Sequence, residues 1–356
     1  MNGAQKISEI LELYKKEFID FDVYIVADAQ AQTIRESDAR IIHADESEFF
    51  SRSEFAGIAS AIFNVFGFVK VFYNEISFIE YFIQKKIDPE GCIVYNLSRD
   101  GMHQGKKSLI PAFCDLYNIR YTGSDAFVIS LLRNKAIYSD VLFLHGVNVP
   151  ITVPFYHKRT NYDDIMDLLN NKEIIIKNIS ESASIGLYPQ CKMLLTAKTY
   201  QEFCDVAASV NSMRVLVQEF IHGSECEVLV IQQQGAYFAL DPIEISFPMD
   251  KDFMDSQVSN NYTYSFKMLT GPICAKVRQS AVQAATLLGI KDYARFDFRI
   301  QNEIPYLIDI AGTPYTTHHS SIAYLFDQYG LQYEDIYKTI VTCMLTNYKS
   351  DCTYRV

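Results

Sequence analysis

Hydrophobic and polar positions in the first third of the chain follow the pattern of strands separated by helices. The apolar runs FDVYIVADA (21–29), VKVFYN (69–74) and GCIVYNLS (91–98) are predicted strands. Apolar residues recur with the period of a helix over 47–67 and 106–118. Strands and helices in this order predict a small parallel sheet with helices on both faces.

The middle of the chain begins after a turn, YTGSDA (121–126). Helical patterns follow over 127–146 and 162–171, then a strand pattern over 173–180 and a helix pattern over 198–211. This change of pattern predicts that a second structural unit begins after the turn.

Strand patterns dominate the last part of the chain. Three of them between 214 and 247 are joined by short turns, so an antiparallel sheet is predicted to begin at residue 214. The polar segment 248–265 has no clean period and is predicted to be a mobile loop. A predicted helix over 273–289 precedes two further strands, RFDFRI (295–300) and YLIDIA (306–311).

Composition and charge exclude several classes of protein. The 356-residue chain is 49% hydrophobic and 21% charged, which is typical of a globular protein with two or three domains. A formal net charge of −11 with no basic stripe argues against a nucleic-acid partner. No apolar run approaches a membrane span, and MNGAQKISEILELYKKEF is typical of an amphipathic helix rather than a secretory signal. The eight cysteines form no CxxC pair, so we expect free thiols in a reducing cytoplasm.

Two acidic residues interrupt the last two predicted strands. Asp297 lies inside RFDFRI and Asp309 lies inside YLIDIA. A carboxylate buried in a sheet is costly unless it is paired or binds a metal ion. Arg295 precedes Asp297 by two residues, so both side chains share one face of the strand. The pattern therefore leaves two explanations open, a metal site and a structural Arg–Asp pair.

Five blocks of sequence, in a fixed order, carry a resemblance to a known family. They are IRYTGSDAFVISLLRNK (119–135), IIIKNISESASIG (174–186), VLVQEFIHGSECEV (215–228), the two strands YARFDFRI and PYLIDIAGTP (293–314), and HHSSIA (318–323). From about residue 90 onward the chain resembles the ATP-grasp superfamily, and in particular its D-alanine–D-alanine ligase-like branch. The resemblance implies an α/β (α+β) fold of three domains, with ATP held between the last two.

The three implied domains differ in architecture. Residues 1–126 are expected to form an N-terminal parallel α/β domain, 127–213 a small central lid domain, and 214–356 a C-terminal catalytic domain with an antiparallel sheet. A homodimer is compatible with this arrangement.

The activity implied by the resemblance is that of an ATP-dependent carboxylate–amine ligase. Such an enzyme forms an amide or peptide bond through an acyl phosphate and releases ADP. Its partners would be small-molecule carboxylate and amine substrates, with no nucleic acid and no membrane. Two alternatives stay open: a D-alanine–D-alanine or D-alanine–D-lactate ligase with diverged pockets, and a nucleotide-binding protein without turnover.

The resemblance also implies which residues bind the ATP phosphates. Lys135 and Lys177 correspond to the two phosphate-binding lysines. Ser182, Ala183 and Ser184 lie in a loop that is implied to cover the phosphates with backbone N–H groups. Serine and alanine resist a positive φ more than glycine does, so closure of this loop is expected to be less free.

The implied adenosine site lies in the third block. Gln218, Glu219, Phe220 and Ile221 correspond to the hinge beside the adenine, and Glu225 corresponds to the acceptor for the ribose hydroxyls. Gln218 replaces an acid of the family, and its amide oxygen can still accept from the adenine amino group.

The implied metal and catalytic residues come from the last two blocks. Asp297 and Asp309 correspond to ligands of Mg²⁺, with Mn²⁺ as a substitute, and the ions bridge the ATP phosphates. Arg295 is implied to contact the transferred phosphoryl group and the developing oxyanion. Ser320 is implied to contact the acceptor carboxylate. Ala311 replaces an asparagine of the family, so a second magnesium ion would lose a protein ligand.

Substrate recognition is where the chain departs most from the family. Tyr315 occupies the place of a glycine whose N–H helps to bind the oxyanion. The segment VADAQAQTIRES (26–37) lacks the glycine-rich loop and the glutamate that hold the first amino group in D-alanine ligases, and 248–265 lacks their Lys–Tyr pair. The sequence therefore predicts that the phosphate-transfer site is kept, apart from replacements such as Ala311, and that the D-alanine pockets are not.

Overall fold

The computed structural model describes residues 2–17, 21–29, 48–101, 103–157, 162–211 and 213–352. Over these ranges the chain forms three sheets, of which the first is parallel and the other two are antiparallel. The predicted mixed α/β class, with parallel strands before antiparallel ones, is confirmed. In the part of the chain that the structure describes, no helix has the length and apolarity needed to cross a bilayer.

The first part of the chain forms the parallel sheet. Its strands are β1 (Asp22–Ala27), β2 (Val69–Phe72), β3 (Cys92–Leu97) and β4 (Arg120–Tyr121), and its helices are α1 (Gly3–Glu17), α2 (Arg52–Phe66), α3 (Glu75–Lys85) and α4 (Leu109–Tyr117). The strand order is β2-β1-β3-β4. β1 and β3 are buried along almost their whole length, as central parallel strands covered on both faces should be.

Helix α3 was not predicted, although its sequence contains a start signal. The Asn74 side chain accepts a hydrogen bond from the Ser77 N–H at 2.8 Å, which is an N-cap interaction. Phe78 and Phe82, four residues apart, are both buried in the core beside the sheet. The aromatic composition of this segment favours a strand, and the helical spacing prevails over it because it places both rings on one face.

The central part of the chain forms a second, antiparallel sheet. Its strands are β5 (Thr152–Tyr156), β6 (Glu173–Lys177), β7 (Lys192–Leu194) and β8 (Arg214–Glu219), and its helices are α7 (Tyr162–Leu169) and α8 (Tyr200–Val210). The strand order is β5-β8-β6-β7. The prediction that the C-terminal sheet begins at residue 214 is wrong, because β8 pairs with β5 and β6. A strand pattern identifies a strand without identifying its neighbours.

The third sheet is the largest. Its strands are β9 (Ser224–Gln233), β10 (Ala236–Ala239), β11 (Ile243–Ser246), β12 (Ser265–Met268), β13 (Tyr293–Gln301) and β14 (Ile304–Ala311). The remaining helices are α5 (Ala126–Leu132), α6 (Lys135–Leu144), α9 (Ser256–Asn260), α10 (Ile273–Leu288), α11 (Ser321–Gln328) and α12 (Glu334–Cys352). The order is β12-β11-β9-β13-β14, with β10 also paired to β9. The segment predicted as a loop over 248–265 contains α9 and the first residue of β12.

The two faces of this sheet differ in what they contact. One face packs against α5, α6 and α10 in a core that includes Val128, Val230 and Phe296. Helices α5 and α6, which were expected in the central domain, therefore pack against the C-terminal sheet. Because side chains alternate along a strand, the residues between these core positions on β9 and β13 face the other way. That second face carries charged side chains, and it is where the site lies.

Candidate active site

A single cavity of about 550 Å³ lies among the three sheets. Every site residue predicted from the sequence lines it. These residues are Lys135, Lys177, Ser182, Ala183, Ser184, Gln218, Glu219, Phe220, Ile221, Glu225, Arg295, Asp297, Asp309 and Ser320. Segments far apart in sequence therefore meet at one place.

Three acidic residues lie side by side across the C-terminal sheet. Asp297 on β13 is directly opposite Glu227 on β9 and directly opposite Asp309 on β14. Arg295 donates two hydrogen bonds of 2.8 Å to Asp297, and its guanidinium lies 3.3 Å from Glu227. Ala311 is the partner of Arg295 on β14 and supplies no oxygen. The Arg–Asp pair considered above is therefore present together with the row of acids.

Glu227 was not predicted as a site residue. Burial raises its pKa to about 7, and the neighbouring Asp297 also raises it, while Arg295 acts in the opposite direction. Its Oε2 atom is buried and has no hydrogen-bond partner among the described residues. The sequence signal was the alternation of Glu225 and Glu227, which places both on the charged face.

Asp309 is held by two residues of helix α6. The Lys135 ammonium donates to Asp309 Oδ1, and the Tyr138 hydroxyl donates to the same oxygen at 3.0 Å. Burial raises the pKa of Asp309, but Lys135 outweighs this effect and the pKa is lower than usual. Lys135 is the first residue of α6, and Tyr138 follows one turn later, so both point to the same side.

Lys177 is the last residue of β6 and extends its side chain across the central sheet. Its ammonium donates to Gln218 Oε1 at 2.9 Å, and Gln218 Nε2 donates to Thr152 Oγ1 at 3.1 Å. Burial lowers the pKa of Lys177 to about 8, and the nearby cations Lys135 and Arg299 lower it as well. The Gln218 oxygen predicted to accept from adenine thus accepts from Lys177 in this structure, and its role toward adenine stays a prediction.

Arg299 organises the hinge and was not predicted. Its guanidinium donates to the carbonyls of Ile221 at 2.5 Å, Gly223 at 3.0 Å and Asp252 at 2.9 Å, and to Glu225 at 3.0 Å. It is buried, so these bonds connect β13 to the hinge without competition from water. The signal was again alternation, because residues 295, 297 and 299 share one face of β13.

The predicted phosphate loop has two residues in the left-handed region. Ala183 has φ 53° and Ser184 has φ 55°, a conformation that costs a residue with a Cβ atom roughly 1–2 kcal/mol. The Ser184 hydroxyl donates to the Met254 carbonyl at 2.8 Å, and the Ser256 N–H donates to the Leu187 carbonyl at 2.8 Å. The loop is therefore bonded to the segment 248–265.

Ser320 is the N-cap of helix α11. Its hydroxyl accepts from the Ala323 N–H at 3.1 Å and donates to the Thr317 carbonyl at 2.7 Å. The donor capacity of this hydroxyl is already used, so a contact with an acceptor carboxylate would require the hydroxyl to rotate. That contact stays a prediction.

A group of buried cations lies at the end of the cavity next to the parallel sheet. Arg99, Lys106, Lys107 and Arg133 surround the buried Glu48, whose two carboxylate oxygens are contacted by Lys107 and by Lys106. Burial raises the pKa of Glu48, but the four cations outweigh it and hold this pKa far below its usual range. No motif marked these residues in the sequence; GKK at 105–107 was the available signal.

Lys135 at the start of α6, Lys177 at the end of β6, and the hinge and carboxylates beside them meet around one cavity, as in an ATP-dependent ligase of the ATP-grasp type. A family model described as "D-ala D-ala ligase C-terminus" matches residues 157–342. The chain belongs to this family. The resemblance inferred from the five sequence blocks, and the ATP-dependent, amide-forming ligase class that it implied, are confirmed.

Relatives and solved structures agree with this membership. The chain is 25% identical over 234 residues to a D-alanine–D-alanine ligase of Cupriavidus taiwanensis, covering 65% of this chain and 69% of that protein. It is 25% identical to one of Coprothermobacter proteolyticus, covering 69% and 78%. The fold matches a D-alanine–D-alanine ligase of Bacillus anthracis complexed with ATP, with a TM-score of 0.68, 15% identity, and coverage of 93% and 99%. It also matches the VanG D-Ala:D-Ser ligase of Enterococcus faecalis, with a TM-score of 0.65, 15% identity, and coverage of 92% and 100%.

Proposed function

We propose that this protein joins a small carboxylate, such as an amino acid, to an amine by way of an acyl phosphate, in the cytoplasm. ATP phosphorylates the carboxylate, the amine attacks the acyl carbon, and inorganic phosphate leaves after ADP. The observation that supports this most is the convergence in one cavity of Lys135, Lys177, Arg295, Asp297 and Asp309.

The cations of the site have separate tasks in this proposal. Lys135 and Lys177 bind the phosphates, which replace Asp309 and Gln218 as their partners. Arg295 remains fixed by Asp297, and its fixed guanidinium stabilises negative charge as it develops on the acyl carbonyl oxygen. Most of the rate then comes from holding the reactants in position.

The acidic row fits Mg²⁺ by the type of its ligands. Glu227 Oε2 is a buried oxygen for which the described residues provide no hydrogen bond of normal geometry, and Asp297 and Asp309 lie beside it in the same row. Oxygen ligands from a few carboxylates together with phosphates suit Mg²⁺, and Mn²⁺ can replace it. The three carboxylates do not form a preformed cage, because Arg295 and Lys135 already bind Asp297 and Asp309. When bound, the ion would neutralise phosphate charge.

A D-alanine–D-alanine or D-alanine–D-lactate ligase is the second candidate, and the names of the relatives favour it. The predicted first-substrate segment 26–37 cannot decide between the candidates, because its residues from 30 onward lie outside the described ranges. The described end of the cavity favours the first candidate, because the cations that lie against Glu48 there would repel an ammonium group.

A phosphate-release assay with Mg-ATP and a panel of carboxylates and amines tests the proposal. We expect release that requires both a carboxylate and an amine, with ADP formed in equal amount. Release with D-alanine alone would support the second candidate. Tight ATP binding without release across the panel would contradict both and indicate a nucleotide-binding protein. Gel filtration with light scattering would test the homodimer.

A further inference from the structure

The cationic cluster, which we define as Arg99, Lys106, Lys107 and Arg133, carries more charge than the carboxylates of the described residues around it neutralise. Among the residues that the structure describes, the carboxylates within 4.0 Å of the four cations are Glu48 and Glu181. Within the described part of the chain, four cations facing two carboxylates leave an excess of two positive charges when Lys107 is protonated. Each cation is at most 5% exposed, and a buried charge without a partner is strongly unfavourable.

The distances between the cations and the two carboxylates show how closely each cation is paired. Lys106 lies 2.9 Å from Glu48 and 2.8 Å from Glu181, and Lys107 is bonded to Glu48. Glu48 Oε1 is therefore bonded by Lys107, whereas Glu48 Oε2 lies next to the Lys106 ammonium without a hydrogen-bond partner among the described residues. Arg99 lies 3.8 Å from the nearest Glu48 oxygen and is the cation with the most distant described carboxylate. Arg133 lies 4.0 Å from Glu48 but donates to Glu181 at 3.2 Å, so Lys106 and Arg133 share that carboxylate.

The two arginines also have unused donors. The Nε atoms of Arg99 and Arg133 are buried and have no hydrogen-bond partner among the described residues. Buried polar atoms are almost always bonded in folded proteins. Glu48 Oε2 is also unbonded, but it lies 2.9 Å from the Lys106 ammonium and cannot serve both arginine donors, so the cluster still lacks an acceptor. The excess charge also acts on Lys107: burial lowers its pKa to about 7, and Arg133 and Arg99 lower it further, while Glu48 opposes them.

A second group of acids nearby does not supply that acceptor. Asp28, Glu75 and Asp100 have carboxylate oxygens within 4.8 Å of one another, and Asp28 accepts from the backbone N–H groups of Arg99 and Asp100. Burial raises the pKa of Asp28 to about 6, and it also raises that of Glu75. None of these three acids lines the cavity, whereas Arg99, Lys107 and Arg133 do.

The cluster borders the parts of the site where the reaction would occur. Arg133 bonds to Ser182 of the phosphate loop and lies two residues before Lys135. Arg99 donates to the Thr313 carbonyl at 3.2 Å and stacks on the ring of Tyr315, 4.1 Å from its centroid. A small molecule in the cavity can therefore contact the cluster at one end while its other end lies near Arg295.

We propose that the cationic cluster binds a second anionic group, a carboxylate or a phosphate, of the carboxylate substrate. This inference rests on the proposed ligase function and specifies its substrate class: a dianion that is activated at one end and held at the other. Arginine suits this task because its planar guanidinium binds carboxylate and phosphate through two parallel hydrogen bonds.

Calorimetric titration of the full chain, saturated with Mg²⁺ and a non-hydrolysable ATP analogue, tests the proposal. The probes are pentanoate, glutarate and 4-phosphonobutyrate, which share a three-methylene chain and differ at its far end. We expect the two dianions to bind at least about tenfold more tightly than pentanoate, the size of effect typical of a hydrogen bond to a charged group. The order of glutarate and 4-phosphonobutyrate then distinguishes a carboxylate substrate from a phosphorylated one. Equal affinity for all three probes would overturn the proposal.

Variants locate the effect. Arg133→Met and Lys107→Met should each reduce the preference for dianions, measured as the ratio of glutarate affinity to pentanoate affinity, and thermal melts show whether each variant is folded. Arg278→Met is the matched control, because Arg278 pairs with Asp241 and does not line the cavity. A preference that persists in both cluster variants would mean that the dianion binds elsewhere, which also overturns the proposal.

These experiments distinguish failure of the anion-subsite proposal from failure of the proposed ligase reaction. Tight dianion binding without ADP release, whatever amine is added, would refute the ligase reaction and leave the anion subsite standing. ADP release with monocarboxylates and no preference for dianions would refute the subsite and leave the ligase reaction standing.

Discussion

Lys177 is the residue whose protonation should control ATP affinity. Burial lowers its pKa to about 8 in the free protein, and the phosphates of ATP should raise this pKa by adding negative charge. Below pH 8 the ammonium is charged before and after binding, so affinity should be constant. Above pH 8 binding must take up a proton, so affinity should fall by up to about tenfold per pH unit.

Lys177→Arg provides the control for this pH dependence, because a guanidinium stays charged throughout the range. Calorimetric titration of ATP from pH 7 to pH 10 should give a falling affinity in the wild type and a flat profile in the variant. A wild-type profile as flat as that of Lys177→Arg would show that this lysine is charged or neutral throughout and would contradict the prediction.

Asp309→Asn tests whether the acids across the sheet repel one another or are held by cations. In this structure Asp309 accepts from Lys135 and Tyr138, so removing its charge leaves a buried ammonium without an anion. We expect turnover to be lost and the free energy of unfolding in EDTA to fall by about 1–3 kcal/mol. Thermal melts decide this, with Tyr138→Phe as the milder comparison. A variant more stable than the wild type in EDTA would instead indicate repulsion between Asp297 and Asp309.

At the residue scale, the sequence revealed the site mainly where a motif spans several positions. Lys135, Lys177 and Asp309 lie in blocks that could be matched, and all three line the cavity. Arg299 and Glu227 lie in the same blocks but were missed, because their importance depends on which strand lies beside them. Arg99 carries no motif at all, and its role appears only when Glu48 is placed next to it.

At the element scale, the phosphate loop stores backbone strain that one substitution should release. Ala183→Gly removes the Cβ atom that makes φ 53° unfavourable, which outweighs the entropy that glycine adds to the unfolded chain. We expect stability to rise by up to about 1 kcal/mol. Ala208→Gly, at an exposed position of α8, is the matched control and should cost about 1 kcal/mol. Denaturant melts compare the two, and a loss in both variants would mean that Ala183 is not strained.

The positions of helices and strands were predicted better than the pairing of the strands into sheets. The helical and strand patterns located α10, β13 and β14, because long amphipathic or alternating segments are strong signals. The assignment of Arg214–Glu219 to the C-terminal sheet failed, because that strand packs its apolar residues against α8 and β6 in the central core. The domain boundaries at residues 126 and 213 remain predictions. The packing of α5 and α6 on the C-terminal sheet argues that the central domain begins after α6 rather than at residue 127.

At the scale of the whole molecule, the phosphate loop and the segment 248–265 should close as one lid. They come from different sheets, and the Ser184–Met254 and Ser256–Leu187 hydrogen bonds join them. The Tyr262 hydroxyl donates to Glu54 at 2.5 Å, so the same segment also reaches helix α2 of the parallel sheet. Movement of one part should therefore require movement of the other.

Hydrogen exchange with and without an ATP analogue tests this coupling. We expect both segments to gain protection together, because nucleotide orders the loop and the loop carries the second segment with it. Ser184→Ala removes the bond to Met254, so in this variant the loop should still gain protection while the gain over 248–265 falls. Ser209→Ala is the matched control, because the Ser209 hydroxyl donates to the Val206 carbonyl within α8. Protection that appears in one segment alone in the wild type would show that the two close independently and that the hydrogen bonds between them do not transmit the change.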